Sequence, residues 1–189
     1  MKYAIEIKDL TKKFGDKLVF DGFSYSFPEK GITAVSGPSG RGKTTLLRII
    51  AGLDAEYTGK VTVSPDAKLS YVFQEDRLLP RLSAFENVKL FCGSGENADK
   101  YLSLLGLSEA RNKKPSELSG GMKRRVAAAR AFAYGGSVML LDEPFSGLDS
   151  DNKNVLLGLI KRFAENGLVI LVTHDPADAK TLGAETLEI

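Results

Sequence analysis

"GITAVSGPSGRGKTTLLRIIAGL", residues 31–53, is the stretch from which the fold can be read. "GITAVSG" is a short apolar run of the kind that forms a buried strand, and it ends in a glycine-rich turn. "KTTLLRIIAGL", from Lys43, predicts a helix. The turn between them, "GPSGRGKTT", satisfies G-x-x-x-x-G-K-[ST] through Gly37, Gly42, Lys43 and Thr44. Glycines there let backbone N–H groups converge on phosphate oxygens, and the helix N-terminus adds partial positive charge. Lys43 is placed to reach the β- and γ-phosphates, and the Thr44 hydroxyl to ligate Mg²⁺. A nucleoside triphosphate site is therefore expected on Gly37, Pro38, Ser39, Gly40, Arg41, Gly42, Lys43, Thr44 and Thr45.

Outward from the loop, strands and helices alternate. "YAIEIKDL" and "LVFDGFSYSF" read as strands joined by "FGDK", and "KVTV", "KLSYVF", "SVMLLDEP" and "LVILVT" as further strands, with "ETLEI" as an edge strand. Residues 80 to about 133 read as mostly helical, broken by "CGSGENADK" and Pro115, and a helix is expected from about Ser150 to Asn166. The pattern predicts an α/β phosphate-loop NTPase core with a mostly parallel sheet and helices on both faces. Two lobes attach to it: an antiparallel β lobe (about 1–30 and 58–66) and a helical lobe (about 77–133). The core takes about 31–57, 67–76 and 134–189.

"VMLLDEP" puts Asp142 and Glu143 at the carboxyl end of an apolar strand, the edge where open parallel sheets bind ligands. Asp142 suits Mg²⁺, and Glu143 suits polarising an attacking water. His174, the only histidine, is expected at the same edge, ending "LVILVT". "ELSGGMKRRVAAARAFA", residues 117–133, predicts a helix with Val126, Ala129, Phe132 and Ala133 on its apolar face. Lys123, Arg124 and Arg125 in its first turn oppose the helix dipole. Free N–H groups beside those cations suggest a second anion site; the plain alternative is a helix capped by Ser119.

Composition narrows the class. The 189 residues suffice for one well-buried core, and a net charge of +2 is too small to argue for nucleic acid. A lone cysteine, Cys92, fits a reducing compartment. The N-terminus lacks the apolar stretch of a signal peptide, and no run is long enough to cross a bilayer, so a membrane role requires a partner.

The phosphate loop, "VFQED" (72–76), "LSGGM" (118–122), "VMLLDEP" (138–144), "SGLD" (146–149) and "VTHD" (172–175) together resemble the nucleotide-binding subunit of an ATP-binding cassette transporter. The resemblance implies a homodimer closing head to tail around two ATP-Mg²⁺, with Ser119, Gly120 and Gly121 of each chain completing the other's site. It implies Glu143 as base, with His174, Gln74 and Lys43 in support, and Mg²⁺ held by Thr44, Gln74 and Asp142. It also implies Asp149 at the dimer seam and Phe14 stacking on adenine, the plain alternative for Phe14 being a turn aromatic that covers the core. Met122 departs from the usual Gln.

"QEDRLLPRLSAFENV" (74–88), "KKPSELSGG" (113–121) and "EPFSGLD" (143–149) look closest to bacterial importer subunits serving nitrate, sulfonate and taurine. This implies a cytoplasmic ATPase, peripheral on the inner face of the membrane, that docks integral-membrane subunits through its helical lobe and works with a separate substrate-binding protein. Leu78, Leu79, Leu82 and Phe85 are candidates for the docking groove or for the lobe's own core. The chain is expected to be a minimal motor without a cargo-sensing extension. The alternative, a non-transport cassette ATPase acting on nucleic acid or ribosomes, usually carries coiled-coil insertions or a second cassette; neither is seen in this sequence, and no nucleic acid is expected.

Overall fold

The computed structural model describes residues 3–189. The chain opens with a long hairpin of β1 (Tyr3–Phe14) and β2 (Lys17–Pro28), whose two-residue turn uses Gly15 at φ 55°. β3 (Gly31–Ser36) leads into the phosphate loop and α1 (Lys43–Ile50). β4 (Thr58–Val63) returns to pair antiparallel with β1, giving the sheet order β2-β1-β4.

The second sheet contains β3, β5 (Leu69–Val72), β6 (Val138–Asp142), β7 (Leu168–Val172) and β8 (Glu185–Glu188). Its order is β5-β6-β7-β3-β8 and its pairings are parallel. Every residue of β6 and β7 is buried, which is why both strands read as unbroken apolar runs. Their side chains alternate between two cores. Val138, Leu140, Leu168, Ile170 and Val172 join β1 and α1 on one face, with Leu46, Leu47 and Phe27. Met139, Leu141, Val169 and Leu171 join the helical side on the other.

That helical side consists of α2 (Ala84–Cys92), α3 (Gly95–Leu104), α4 (Gly120–Tyr134), α5 (Ser150–Ala164) and α6 (Pro176–Leu182). The expected α/β architecture, with its antiparallel sheet and a helical lobe carrying "LSGG", is observed. Val126, Ala129, Phe132 and Ala133 of α4 are all buried.

Several local expectations change. "CGSGENADK" is not a long break: only Gly93, at φ 68°, and Ser94 interrupt the helices, and the Ser94 side chain caps α3 through the Asn97 N–H. Ala98, inside the expected break, is fully buried in the core. Tertiary packing thus overrides the weak helix propensity of Gly and Asn. α1 stops at Ile50 because Gly52 turns left-handed at φ 70°. The strand before His174 ends at Val172, and α6 follows, started by Asp175 capping the Ala177 N–H and by Pro176 at its first position.

Candidate functional site

The parallel strands deliver the site at their carboxyl ends. Phe14, Lys17, Val19, Ser39, Gly40, Gly42, Lys43, Thr44, Thr45, Gln74, Asp142, Glu143, Val172 and His174 line one cleft of about 330 Å³. Its floor is the phosphate loop. Gly42 holds φ 110° before α1, and a Cβ there would lie 2.4 Å from Val19 Cγ1, so only glycine fits the conformation and the space. Gly37, at φ 146°, has the Ile189 carbonyl oxygen 2.4 Å from where a Cβ would be. Lys43 is 6 % exposed and donates from Nζ to the carbonyls of Gly37 at 2.7 Å and Pro38 at 3.0 Å, an ammonium held inside the loop. Arg41 faces another way: it is exposed and lines a separate depression with Leu18, Phe20 and Phe23.

Opposite the loop stands the carboxylate pair. Asp142, 2 % exposed, accepts from the Thr44 hydroxyl at 3.2 Å. Burial pushes its pKa up, and the Thr44 hydrogen bond opposes that rise only in part. Glu143 follows in the left-handed region at φ 51°, a strained conformation for a non-glycine residue, and its N–H donates to the Val172 carbonyl at 3.0 Å. Its carboxyl is also pushed up by burial, with His174 opposing. Glu143 Oε2 accepts from the His174 N–H at 3.3 Å, and His174 Nε2 lies 3.1 Å from Oε1. Oε1 is shut off from solvent yet finds no aligned donor.

Phe14 ends β1 with its ring 51 % exposed at the cleft. Lys12, two residues back, is fully buried. Its ammonium is 4.5 Å from the Phe14 ring centroid and donates at 2.8 Å to both Asp54 Oδ1 and the Glu56 carbonyl. Sequence reasoning missed Lys17 and Val19, which the hairpin alone brings to the loop, and Lys12, which pairs with the segment after α1. Lys17 Nζ approaches the Gly40 carbonyl at 3.4 Å.

Ser119, Gly120, Gly121 and Asp149 do not line this cleft. Ser119 caps α4, accepting from the Met122 N–H at 3.2 Å. Gly121 packs so close to the 146–149 turn that a Cβ would sit 3.0 Å from the Gly147 carbonyl oxygen. Asp149 caps α5 through the Asn152 N–H at 2.9 Å, and that bond holds its carboxyl below the usual carboxylate range. The cations expected to mark a second anion site are mostly committed elsewhere. Arg124 donates to the carbonyls of Phe73, at 2.7 Å, and Gln74, and Arg125 to that of Leu105 at 2.8 Å. α4 thereby grips the Gln74 segment.

Residues 20–146 match the family model described as ABC transporter. The chain belongs to the ABC transporter family. An aliphatic sulfonates import ATP-binding protein of Mesorhizobium japonicum is 38 % identical over 199 residues, covering 98 % of this chain and 75 % of that protein. A sulfate/thiosulfate import ATP-binding protein of Mycobacterium bovis is 37 % identical over 95 % of this chain, which spans only 56 % of that relative. Among solved structures, a dimeric ATP-binding cassette in a post-hydrolysis state with ADP and phosphate superposes with TM-score 0.88. It is 30 % identical and covers 98 % of this chain and 94 % of its own. A metal-chelate type ABC transporter in an inward-facing conformation gives TM-score 0.83 at 27 % identity, covering 100 % of this chain and 79 % of its own. Membership of this family carries ATP binding. Among the described residues no helix is long and apolar enough to cross a membrane.

Proposed function

We propose that the chain is the ATP-hydrolysing subunit of an importer, peripheral on the cytoplasmic face and driving separate membrane subunits. The observation that carries the hydrolytic reading is the Glu143 carboxylate, held in the left-handed region at φ 51° on the wall of the cleft it shares with the phosphate loop. An acceptor so placed suits the proton of an attacking water. Lys43, drawn from the loop carbonyls onto the β- and γ-phosphates, offsets their charge, and His174 supports the charge that develops on the transferred phosphoryl group. Phe14 presents a ring face to the base. Asp142 and Thr44, an anionic and a neutral oxygen 3.2 Å apart, are a donor set that fits Mg²⁺ beside phosphate oxygens, with Gln74 at the cleft edge. The ion would supply charge neutralisation there.

Ser119, Gly120 and Gly121 are exposed or half-buried at a helix start, open to a second copy. In this reading they cap the partner's γ-phosphate, with Asp149 at the seam, so ATP holds the homodimer closed. The helical segment 77–133 is the docking lobe. Leu79, Leu90 and Phe91 are exposed there, and Phe91 lines a cleft of about 340 Å³ with Tyr71, Phe73, Arg77 and Arg130. Phe85 and Leu78 instead pack on the lobe's core. Sulfonate or sulfate uptake follows the relatives' names, and a separate substrate-binding protein belongs to the importer reading.

Light scattering of Glu143→Gln with and without ATP-Mg²⁺ tests this. A mass shift from monomer to dimer on adding ATP, absent in Glu143→Gln/Ser119→Arg, is expected. Nucleotide binding with no shift, even with a co-purified membrane partner, would remove the composite site. Near-normal turnover by Glu143→Gln would remove its role as base.

A further inference from the structure

Lys153 lies in the first turns of α5, the helix that Asp149 caps. Its ammonium is 2.5 Å from Asp178 Oδ1 and 3.3 Å from Asp175 Oδ2. Asp178 is buried at 3 % exposure, and its second oxygen accepts from the Thr173 hydroxyl at 3.2 Å. Thr173 Oγ1 accepts in turn from the Asp175 N–H at 3.2 Å. The residue enclosed by this ring of bonds is His174.

His174 itself is exposed, so packing does not hold it; its recorded partners are the two oxygens of Glu143. The Lys153 ammonium also lies 5.6 Å from the ring centroid of Phe145, two residues beyond Glu143. One cation therefore sits near the segment after Glu143 and pairs with two carboxylates that follow His174. The bond to Asp178 raises the Lys153 pKa. A charge-assisted pair with a buried carboxylate is stiffer than a solvent-exposed one.

We infer that Lys153 is a positioning residue for hydrolysis: by clamping Asp175 and Asp178 it sets His174 against Glu143 and couples that loop to the Asp149 end of α5. Movement of that helix end when two copies close is passed to His174 through an ion pair. The inference rests on His174 acting in hydrolysis.

The test is steady-state ATPase kinetics on the full chain for Lys153→Met, Lys153→Arg, His174→Ala and the Lys153→Met/His174→Ala pair, with thermal denaturation of each. Lys153→Met should lower kcat by about tenfold, as a displaced catalytic group does. KM for ATP should stay within about twofold, since the base and the phosphate loop are untouched. Lys153→Arg should restore most of the rate. In the His174→Ala background, Lys153→Met should cost nothing further. Thr173→Val, which breaks the hydroxyl link and leaves the ion pair, provides the same readout should Lys153→Met fold poorly, with a smaller fall in kcat. Unchanged kcat in both Lys153→Met and Thr173→Val, while His174→Ala is impaired, would overturn the inference alone. An equal further loss on top of His174→Ala would also overturn it, as a general structural effect. Unimpaired His174→Ala would instead remove the reading beneath it.

Discussion

Two helices of this protein begin at glycine-rich turns, and they solve the same electrostatic problem in opposite ways. α1 begins at Gly42, left-handed at φ 110° and with no side-chain cap, so its first N–H groups face the cleft. α4 begins at Ser119, whose hydroxyl takes the Met122 N–H. The cation of the first, Lys43, stays inside its own loop, whereas Arg124 and Arg125 of the second leave for carbonyls of neighbouring segments. One start is a finished phosphate cradle within a single chain. The other is self-satisfied, exposed, and braced on the 146–149 turn. A helix N-terminus is thus a complete anion site within one chain only where its donors are left unspent and walls surround it.

The comparison breaks most sharply at Lys43. Lys43→Ala should weaken ATP binding by one to two powers of ten, about 1.5–3 kcal/mol for hydrogen bonds to a charged group, measured by calorimetry. An equal change at Lys123 of α4 should leave the isolated chain's affinity unaltered.

Next come the glycines. Gly42→Ala forces a left-handed alanine against Val19 and should cost about 1–3 kcal/mol of stability together with nucleotide affinity. Gly121→Ala meets the Gly147 carbonyl at 3.0 Å and Leu148 Cδ2 at 3.8 Å and should cost less, and Gly120→Ala, with nothing within 4 Å, should be neutral or slightly stabilising. Chemical denaturation of the three variants should rank them in that order.

Ser119 separates capping from partner binding. Ser119→Ala should destabilise by about 1 kcal/mol through the lost cap. Ser119→Asp keeps the cap, and so the monomer's stability, but should abolish the ATP-dependent dimer by setting a carboxylate against phosphate. A Ser119→Asp variant that still dimerises would confine Ser119 to its helix.

The smallest effect is expected at Asp142. Burial raises its pKa in the folded chain, so the native state holds its proton more tightly than the unfolded one. Its contribution to stability is present below the ordinary carboxylate range and is lost as pH rises through the raised value. Asp142→Asn should therefore raise the melting temperature at neutral pH, by about 3 °C or less, and the gain should vanish in acid. A gain that persists in acid would point to packing instead of charge.

The phosphate loop and the strand ending in Asp142 and Glu143 were legible from local pattern because their chemistry is local. Glycine spacing, an adjacent lysine and an apolar run ending in acids lie within a few residues of one another. The helical face of α4 was legible for the same reason. The basic first turn of that helix misled because a side chain's partner is chosen in space. Arg124 reaches the Phe73 carbonyl, 51 positions away, and no periodicity encodes that meeting. "CGSGENADK" misled because Ala98 is drawn into the core, and α6 was overlooked because so short a helix shows little periodicity. The order of strands around the cleft, the seat of Lys12 behind Phe14, and the clamp of Lys153 around His174 all depend on which segments the two cores bring together. Local sequence carries backbone preference and which face is apolar; long-range pairs exist only once packing has closed the loops between them.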